Sequence, residues 1–375
     1  MKSRRLLVAI ATVMVLSAIT PGSTSAAAPS LSTRTVQSGL VIPWDLAFAP
    51  DGQMFVTERP GRVRVYASGR PGAALLATTT LSGARAEGEA GVMGIAVDHL
   101  FRSNRLIYVC ASRMYNGQWL NQVIRYKVGS SWKLTFDRWI IRLGMRANTI
   151  HNGCAVEEGP DQKIWVSMGD ANVSSRAQNP NSLNGKILRV GRDGSIPTDN
   201  PVWPGEGSPS LVFSLGHRNP QGIAFQPKSN RPYAIEHGPE KDDEINWIRA
   251  GRNYGWPCVT GTNNSYQPGT SGCPSGTTAF TQPVWSTEGP TLATSNGVFV
   301  RNQWDSWNAH LMVSTLKQED VRRFTVDSTG RPATYRATLF DGRWGRLRAT
   351  VLGPGYQLYL TTSNGSNDRV IRITP

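Results

Sequence analysis

The sequence predicts an all-β protein, a six-bladed β-propeller of four-stranded antiparallel blades. Three observations lead there. A strand, a tight turn and a second strand recur as one pattern six times along the chain. After most copies comes a short strand in which basic and apolar residues alternate, as in RVRVY, QVIRYKV, KILRV, VRRFTV and RVIRI. No segment among the repeats carries the apolar spacing of a packed helix. A two-sheet sandwich would also use short alternating strands, but it gives no reason for six similar units.

Taken in chain order, the N-terminus stands apart. Lys2, Arg4 and Arg5 precede an apolar run from Leu6 to Ile19, then a break at Pro21 and Gly22 and small residues from Ser23 to Ala28. This is the layout of a secretory signal peptide over residues 1–28, cut near Ala26 or Ala28. The run is short for a membrane-spanning helix and no other long apolar segment follows. The expectation is an exported protein with no membrane span and one propeller domain over residues 29–375. Residues 29 to about 40 are expected to form an outer strand that closes the ring with the C-terminal unit.

The first unit is DLAFAPDGQMFVTE from Asp45, where Pro-Asp-Gly supplies the turn between two alternating strands. The second is GIAVDHLFRSNRLIYVCAS from Gly94 and the third GCAVEEGPDQKIWVSMGD from Gly153. GIAFQPKSNRPYAIEHG from Gly222, GVFVRNQWDSWNAHLMVSTLK from Gly297 and RATVLGPGYQLYLTTSNG from Arg348 complete the set. The third and fourth units carry inserts, GSIPTDNPVWPGEGSPS and the loop from Cys258 to Cys273. Inserts in repeat folds gather on one face, often the binding face.

The four cysteines agree with an oxidising compartment. Cys258 and Cys273 flank a loop rich in Gly, Asn, Ser and Pro that their pairing would close, and elimination pairs Cys110 with Cys154. With 40 Lys and Arg against 26 Asp and Glu the formal charge is +14. The basic residues are scattered rather than striped, which argues against nucleic acid and for a basic cleft or an acidic cell surface. There is no Cys-x-x-Cys, His-Glu-x-x-His or Gly-x-Ser-x-Gly, so redox-dithiol, zinc-peptidase and serine-esterase chemistry lack their residues.

One repeat position collects unusual residues just ahead of the innermost strand. It holds Glu89 before GVMGI, His151 before GCAV, and Arg218, Asn219 and Gln221 around the start of GIAF. Thr291 precedes SNGVFV, and Arg346 and Arg348 precede ATVLGPG. Innermost strands line the axial channel, so these residues converge at one mouth. His151 is the candidate base. Arg218, Lys317, Arg346 and Arg348 would repel one another unless they met a multiply anionic ligand. His217 and His237 read as turn-stabilising, and His99 and His310 as loop residues. Gly238, Pro239, Asp242, Asp243 and Glu244 combine carbonyls and carboxylates suited to a hard cation, without EF-hand spacing.

Four stretches carry a family resemblance: IPWDLAFAPDGQMFVTERPGRVRV, AQNPNSLNGKILRVGRDGSIPTDNP, GHRNPQGIAF and EHGPEKDDEINWIRAGRNYGWP. Together they resemble the soluble quinoprotein glucose/sorbosone dehydrogenases, aldose sugar dehydrogenases that use pyrroloquinoline quinone (PQQ). The resemblance covers about Gly39 to Thr374. It implies oxidation of the anomeric hydroxyl of aldoses to lactones, with PQQ and calcium at the channel mouth and an external electron acceptor. His151 matches the base, Asp170 the acid that supports it, and Arg218 the cation beside the quinone oxygen. Arg218, Asn219, Gln221, Thr291, Lys317, Arg346 and Arg348 match the PQQ-holding side. The carbonyls of Gly238 and Pro239 match ligands of the cofactor's calcium, and Glu244 with Tyr254 a separate calcium site. Glu89 stands where a glutamine is common and puts a carboxylate on the substrate side. Gly289 replaces a stacking aromatic, with Trp285 as a candidate substitute. The alternative to a dehydrogenase is a non-enzymatic propeller that binds a glycan or protein partner. A lactonase-type hydrolase would need carboxylates from several blades around a central calcium, a set the repeat positions do not supply.

Overall fold

The computed structural model describes residues 27–262, 273 and 280–375. The expected signal peptide falls outside them, apart from its last two residues. Among the described residues the strands form six sheets around an axis; five run in chain order from the axis outward, and the sixth takes its outermost strand from the N-terminus. Blade one is Pro43–Phe48, Met54–Glu58, Arg62–Tyr66 and Leu75–Thr80, and blade two Val92–Val97, Leu106–Tyr115, Gln118–Val128 and Leu134–Ile141. The inner strands of the remaining blades are Gly153–Glu158, Pro220–Phe225, Thr294–Phe299 and Leu347–Leu352. Pro43–Phe48 packs against both Val92–Val97 and Leu347–Leu352, which closes the inner ring.

The expected ring closure is present. Ser32–Leu40 pairs antiparallel with Asp368–Thr374, with Ser32 opposite Thr374 and Leu40 opposite Asp368, as the outer strand of blade six. One blade departs from four strands. Arg252–Asn253, reached after the third strand of blade four, returns to lie parallel to Val212–Leu215 at the edge of blade three. The outer strand of blade four is correspondingly only Trp285–Ser286.

Burial explains the composition of the strands. Second strands such as MFVTE, IWVSM and LYLTT are buried throughout because a neighbouring blade covers each face. The outer strand LTFDRWII is buried only at its ends, and charge is tolerated between them. Among the described residues one apolar wedge fills the space between each pair of neighbours. Burial of such area is the dominant favourable term in folding.

Both cysteine pairs are bonded as expected. Cys110–Cys154 joins the second strand of blade two to the inner strand of blade three across 5.9 Å between Cα atoms. Cys258–Cys273 spans 5.6 Å and closes the blade-four insert. Among the described residues no helix is long and apolar enough to cross a membrane.

Candidate active site

The starts of the inner strands meet through hydrogen bonds that cross from blade to blade. The His151 main-chain amide donates to Glu89 Oε2 at 2.9 Å, that of Gly153 to Asn219 Oδ1 at 3.0 Å, and Arg348 Nη1 to Gln221 Oε1 at 3.0 Å. Repeat geometry thus gathers residues far apart in sequence.

His151 sits in a turn of left-handed backbone, with φ of 58° at His151, 61° at Gly153 and 72° at Cys154. Such a conformation persists only where its surroundings over-determine it. The His151 carbonyl accepts from the Ala171 amide at 3.0 Å. A Cβ on Gly169 would come within 2.1 Å of that carbonyl oxygen, so the residue must be glycine.

Asp170 holds the ring. Its Oδ1 lies 2.8 Å from His151 Nδ1 and also accepts from the Asn172 amide at 2.7 Å, while Oδ2 accepts from Trp256 Nε1 at 2.9 Å. A carboxylate pinned by these donors is an acceptor for the imidazole, which places the ring hydrogen on Nδ1 and leaves the Nε2 lone pair free to take a proton.

Two of the candidate cations, Arg218 and Arg348, stand at the inner-strand starts of blades four and six. Arg218 Nη1 donates to the carbonyls of Gly238 at 2.8 Å and His237 at 3.1 Å, and its guanidinium lies 5.4 Å from the Trp256 ring centroid. Burial lowers its pKa, and the nearby carboxylates, Asp170 foremost, oppose the shift. Arg218 Nε is buried without a partner, and so is Asn219 Nδ2. Arg348 lies 3.6 Å from the centroid of Trp44 and donates through Nε to Ser363 Oγ at 3.3 Å. Burial pulls it down to about 9; Glu89 opposes this, while Arg346 and Arg59 add to it.

On the blade-five side, exposed Arg346 donates to the Leu316 carbonyl at 3.3 Å, beside exposed Lys317. The Lys317 amide in turn bonds the Leu292 carbonyl, next to Thr291. The Thr291 hydroxyl donates to Asp243 Oδ1 at 2.6 Å.

The carbonyl-carboxylate segment forms the adjoining wall. The Gly238 carbonyl accepts from His237 Nδ1 at 2.6 Å as well as from Arg218, and Pro239 lies beside it at the rim of an open cleft of about 650 Å³. Behind it, a small cavity is lined by Glu236, Asp242, Glu244, Tyr254 and Thr260. Burial raises Glu244 to about 8, with Glu236 adding to the shift. The Tyr254 hydroxyl donates to the Trp247 carbonyl and accepts from the Arg249 amide at 3.0 Å. His217 is fully engaged, with Glu236 Oε2 at 2.8 Å, Ser214 Oγ at 2.9 Å and the Tyr254 ring stacked on it.

Some placements differ from expectation or extend it. Trp285 packs edge-on against Phe324 in the wedge between blades four and five, so it does not replace an aromatic at the mouth. Three residues join the site that the repeat comparison did not single out: Trp44, Trp256 and Arg59. Arg59 directly follows a second strand, as His237 does in blade four, and Asp170 and Lys317 come two residues after theirs. The signal was present in VTERPG but reads as an ordinary turn.

The glucose / sorbosone dehydrogenase family profile matches residues 40–372. An aldose sugar dehydrogenase of Escherichia coli is 29% identical over 356 residues, 93% of this chain and 94% of that protein. Quinoprotein glucose dehydrogenase B of Acinetobacter calcoaceticus is 32% identical over 255 residues, 61% of this chain and 52% of that protein. Among solved structures, the PQQ-bound aldose sugar dehydrogenase of Streptomyces coelicolor aligns with a TM-score of 0.75 at 27% identity, covering 93% of this chain and all of that one. The apo form of the E. coli enzyme aligns with a TM-score of 0.81 at 28% identity, over 92% of this chain and all of that one. A profile spanning nearly the whole propeller, over the repeat positions that build this mouth, makes the chain a member of the glucose/sorbosone dehydrogenase family.

Proposed function

We propose that the protein is an exported, PQQ- and calcium-dependent dehydrogenase that oxidises the anomeric hydroxyl of aldose sugars to lactones and passes the electrons to an external acceptor. The observation that carries this reading is the pairing of a polarised base with unsatisfied donors. His151 Nε2 is left free by the Asp170 bond, and beside it Arg218 Nε, Asn219 Nδ2 and Arg59 Nε are buried without partners. Orphaned donors of this kind cost about 1–3 kcal/mol each unless a ligand accepts from them. PQQ, with three carboxylates and quinone oxygens, is a ligand of matching chemistry.

Bound PQQ would supply the carbonyl that accepts hydride from the sugar. The chain's own residues do the rest. His151 Nε2 takes the hydroxyl proton, and Asp170 orients the ring and stabilises the imidazolium that forms. Arg218 offers positive charge where negative charge grows on the quinone side. Asn219, Gln221, Thr291, Lys317, Arg346 and Arg348 form the anion-holding wall, with Glu89 on the sugar side. The carbonyls of Gly238 and Pro239 suit a calcium ion, which would compete with the Arg218 and His237 donors now on Gly238. Glu244, with Tyr254, suits a second one. The two disulfides favour an oxidising compartment, as a leader over residues 1–28 requires.

The test separates chemistry from binding. His151→Gln should lower sugar-dependent turnover by at least about a thousandfold while PQQ still binds. Normal turnover in that variant would remove His151 from the role of base.

A further inference from the structure

The outer strand of blade two, Leu134–Ile141, is irregular on its exposed side. Arg138 stands opposite Arg125 and Phe136 opposite Tyr126, so the register slips by one residue between them. In a regular strand Phe136 and Trp139, three apart, would point to opposite faces. The extra residue brings them together, with ring centroids 5.3 Å apart. Phe136 is 54% exposed, unusual for a phenylalanine.

Two arginines complete the surface. Arg113, in the second strand of the blade, lies 5.1 Å from the Trp139 ring centroid. Arg142, just past the outer strand, lies 5.7 Å from the same ring and 4.6 Å from that of Tyr115. Arg113 Nη2 donates to the Ser82 carbonyl at 2.5 Å and Arg142 Nη2 to the Tyr115 hydroxyl at 2.5 Å, while Arg113 Nε is buried with no partner. Neither guanidinium has an ion-pair partner among the described residues. The strand's own acid, Asp137, is held by Arg125 at 2.7 Å and by Arg138 at 3.5 Å. Facing this wall is the edge of blade one. Thr79, Thr80 and Ser82 line an open cleft of about 460 Å³ together with Phe136, Trp139 and Arg113. That volume lies within the range of about 300–1,000 Å³ usual for ligand sites.

We propose that this cleft, on the flank of blades one and two, binds an acidic polysaccharide. A sugar ring has an apolar CH face and a polar edge. The face packs on Phe136 and Trp139, and the threonine and serine hydroxyls meet the edge. Carboxylates along the polymer pair with Arg113 and Arg142, whose planar guanidinium groups suit them and have no protein anion to give up. The formal charge of +14 draws such a polymer in. The cleft shares no residue with the mouth, so the inference holds whether or not the mouth oxidises sugars.

The purified protein, residues 29–375, is titrated calorimetrically with tetragalacturonate and with tetraglutamate, which carries carboxylates but no sugar ring. Tetragalacturonate should bind at least about tenfold more tightly. Phe136→Ser should weaken its binding about tenfold. Arg113→Gln/Arg142→Gln should weaken it at least as much at low salt, a loss that shrinks at high salt. No binding of tetragalacturonate, equally tight binding of tetraglutamate, or unchanged affinity in either variant overturns the proposal. Unchanged affinity would put the bound anion at the cationic mouth instead. Phe136 is exposed enough for its serine variant to fold, so that variant decides the matter alone should the double arginine variant not fold.

Discussion

At the scale of single residues, the site shows how burial sets charge. Asp45 opens the first repeat and is 4% exposed; burial raises its carboxyl to about 7, although the amides of Ile95 and Leu46 donate to it and oppose the shift. Its pKa in the unfolded chain is near the ordinary 3.8, so between these values the folded state binds more protons than the unfolded one. Stability from this group is therefore fully present below about pH 4 and lost as pH rises through about 7. Urea midpoints at pH 5 and pH 8 should differ in that sense for the wild type, and the slope should be shallower in Asp45→Asn. A slope unchanged by the substitution would mean that Asp45 titrates normally. The residue scale is also where the sequence was most legible. His151, Arg218 and Arg348 stand out because each precedes or opens an inner strand in otherwise apolar repeats. Arg59 and Trp256 do not stand out, since an arginine in a Glu-Arg-Pro-Gly turn and a tryptophan before proline look like ordinary loop residues until a neighbouring blade supplies their partners.

At the scale of elements, the His151–Cys154 turn depends on three anchors from outside its own strand: Glu89, Asn219 and Cys110. The disulfide closes a sequence separation of 44 residues, and both cysteines are fully buried. Its loss should cost about 2–5 kcal/mol of stability. Because it also pins the strand that presents the base, Cys110→Ala/Cys154→Ala should lower kcat more than it raises KM for the sugar. Thermal unfolding and steady-state kinetics of the double variant check both parts; an unchanged unfolding temperature with unchanged kcat would show that the other two anchors suffice. The elements that escaped prediction are non-local ones. The parallel pairing of Arg252–Asn253 with blade three involves two residues and no periodicity of its own. Turn chemistry reports the residues beside a turn, not a partner strand in the preceding blade. Trp285 shows the same limit, since its distance from Gly289 in sequence said nothing of the wedge into which it points.

At the scale of the whole molecule, the six units, the ring closure and the convergence of one repeat position at one mouth were all legible, because each follows from repetition rather than from any single propensity. The fold then explains the chemistry it can support. His151, Arg218 and Arg348 come from three different blades, and only the ring brings them to the same end of the inner strands. The central claim is that this mouth takes PQQ with calcium and uses it on sugars. The direct measurement is reconstitution of the purified protein, residues 29–375, with PQQ and calcium, followed by dye reduction across a panel of mono- and disaccharides. The account predicts calcium-dependent dye reduction by aldoses, with lactone as product. Failure of PQQ to bind in the presence of calcium would contradict it, and would turn the same cationic mouth into a binding site for a different anion.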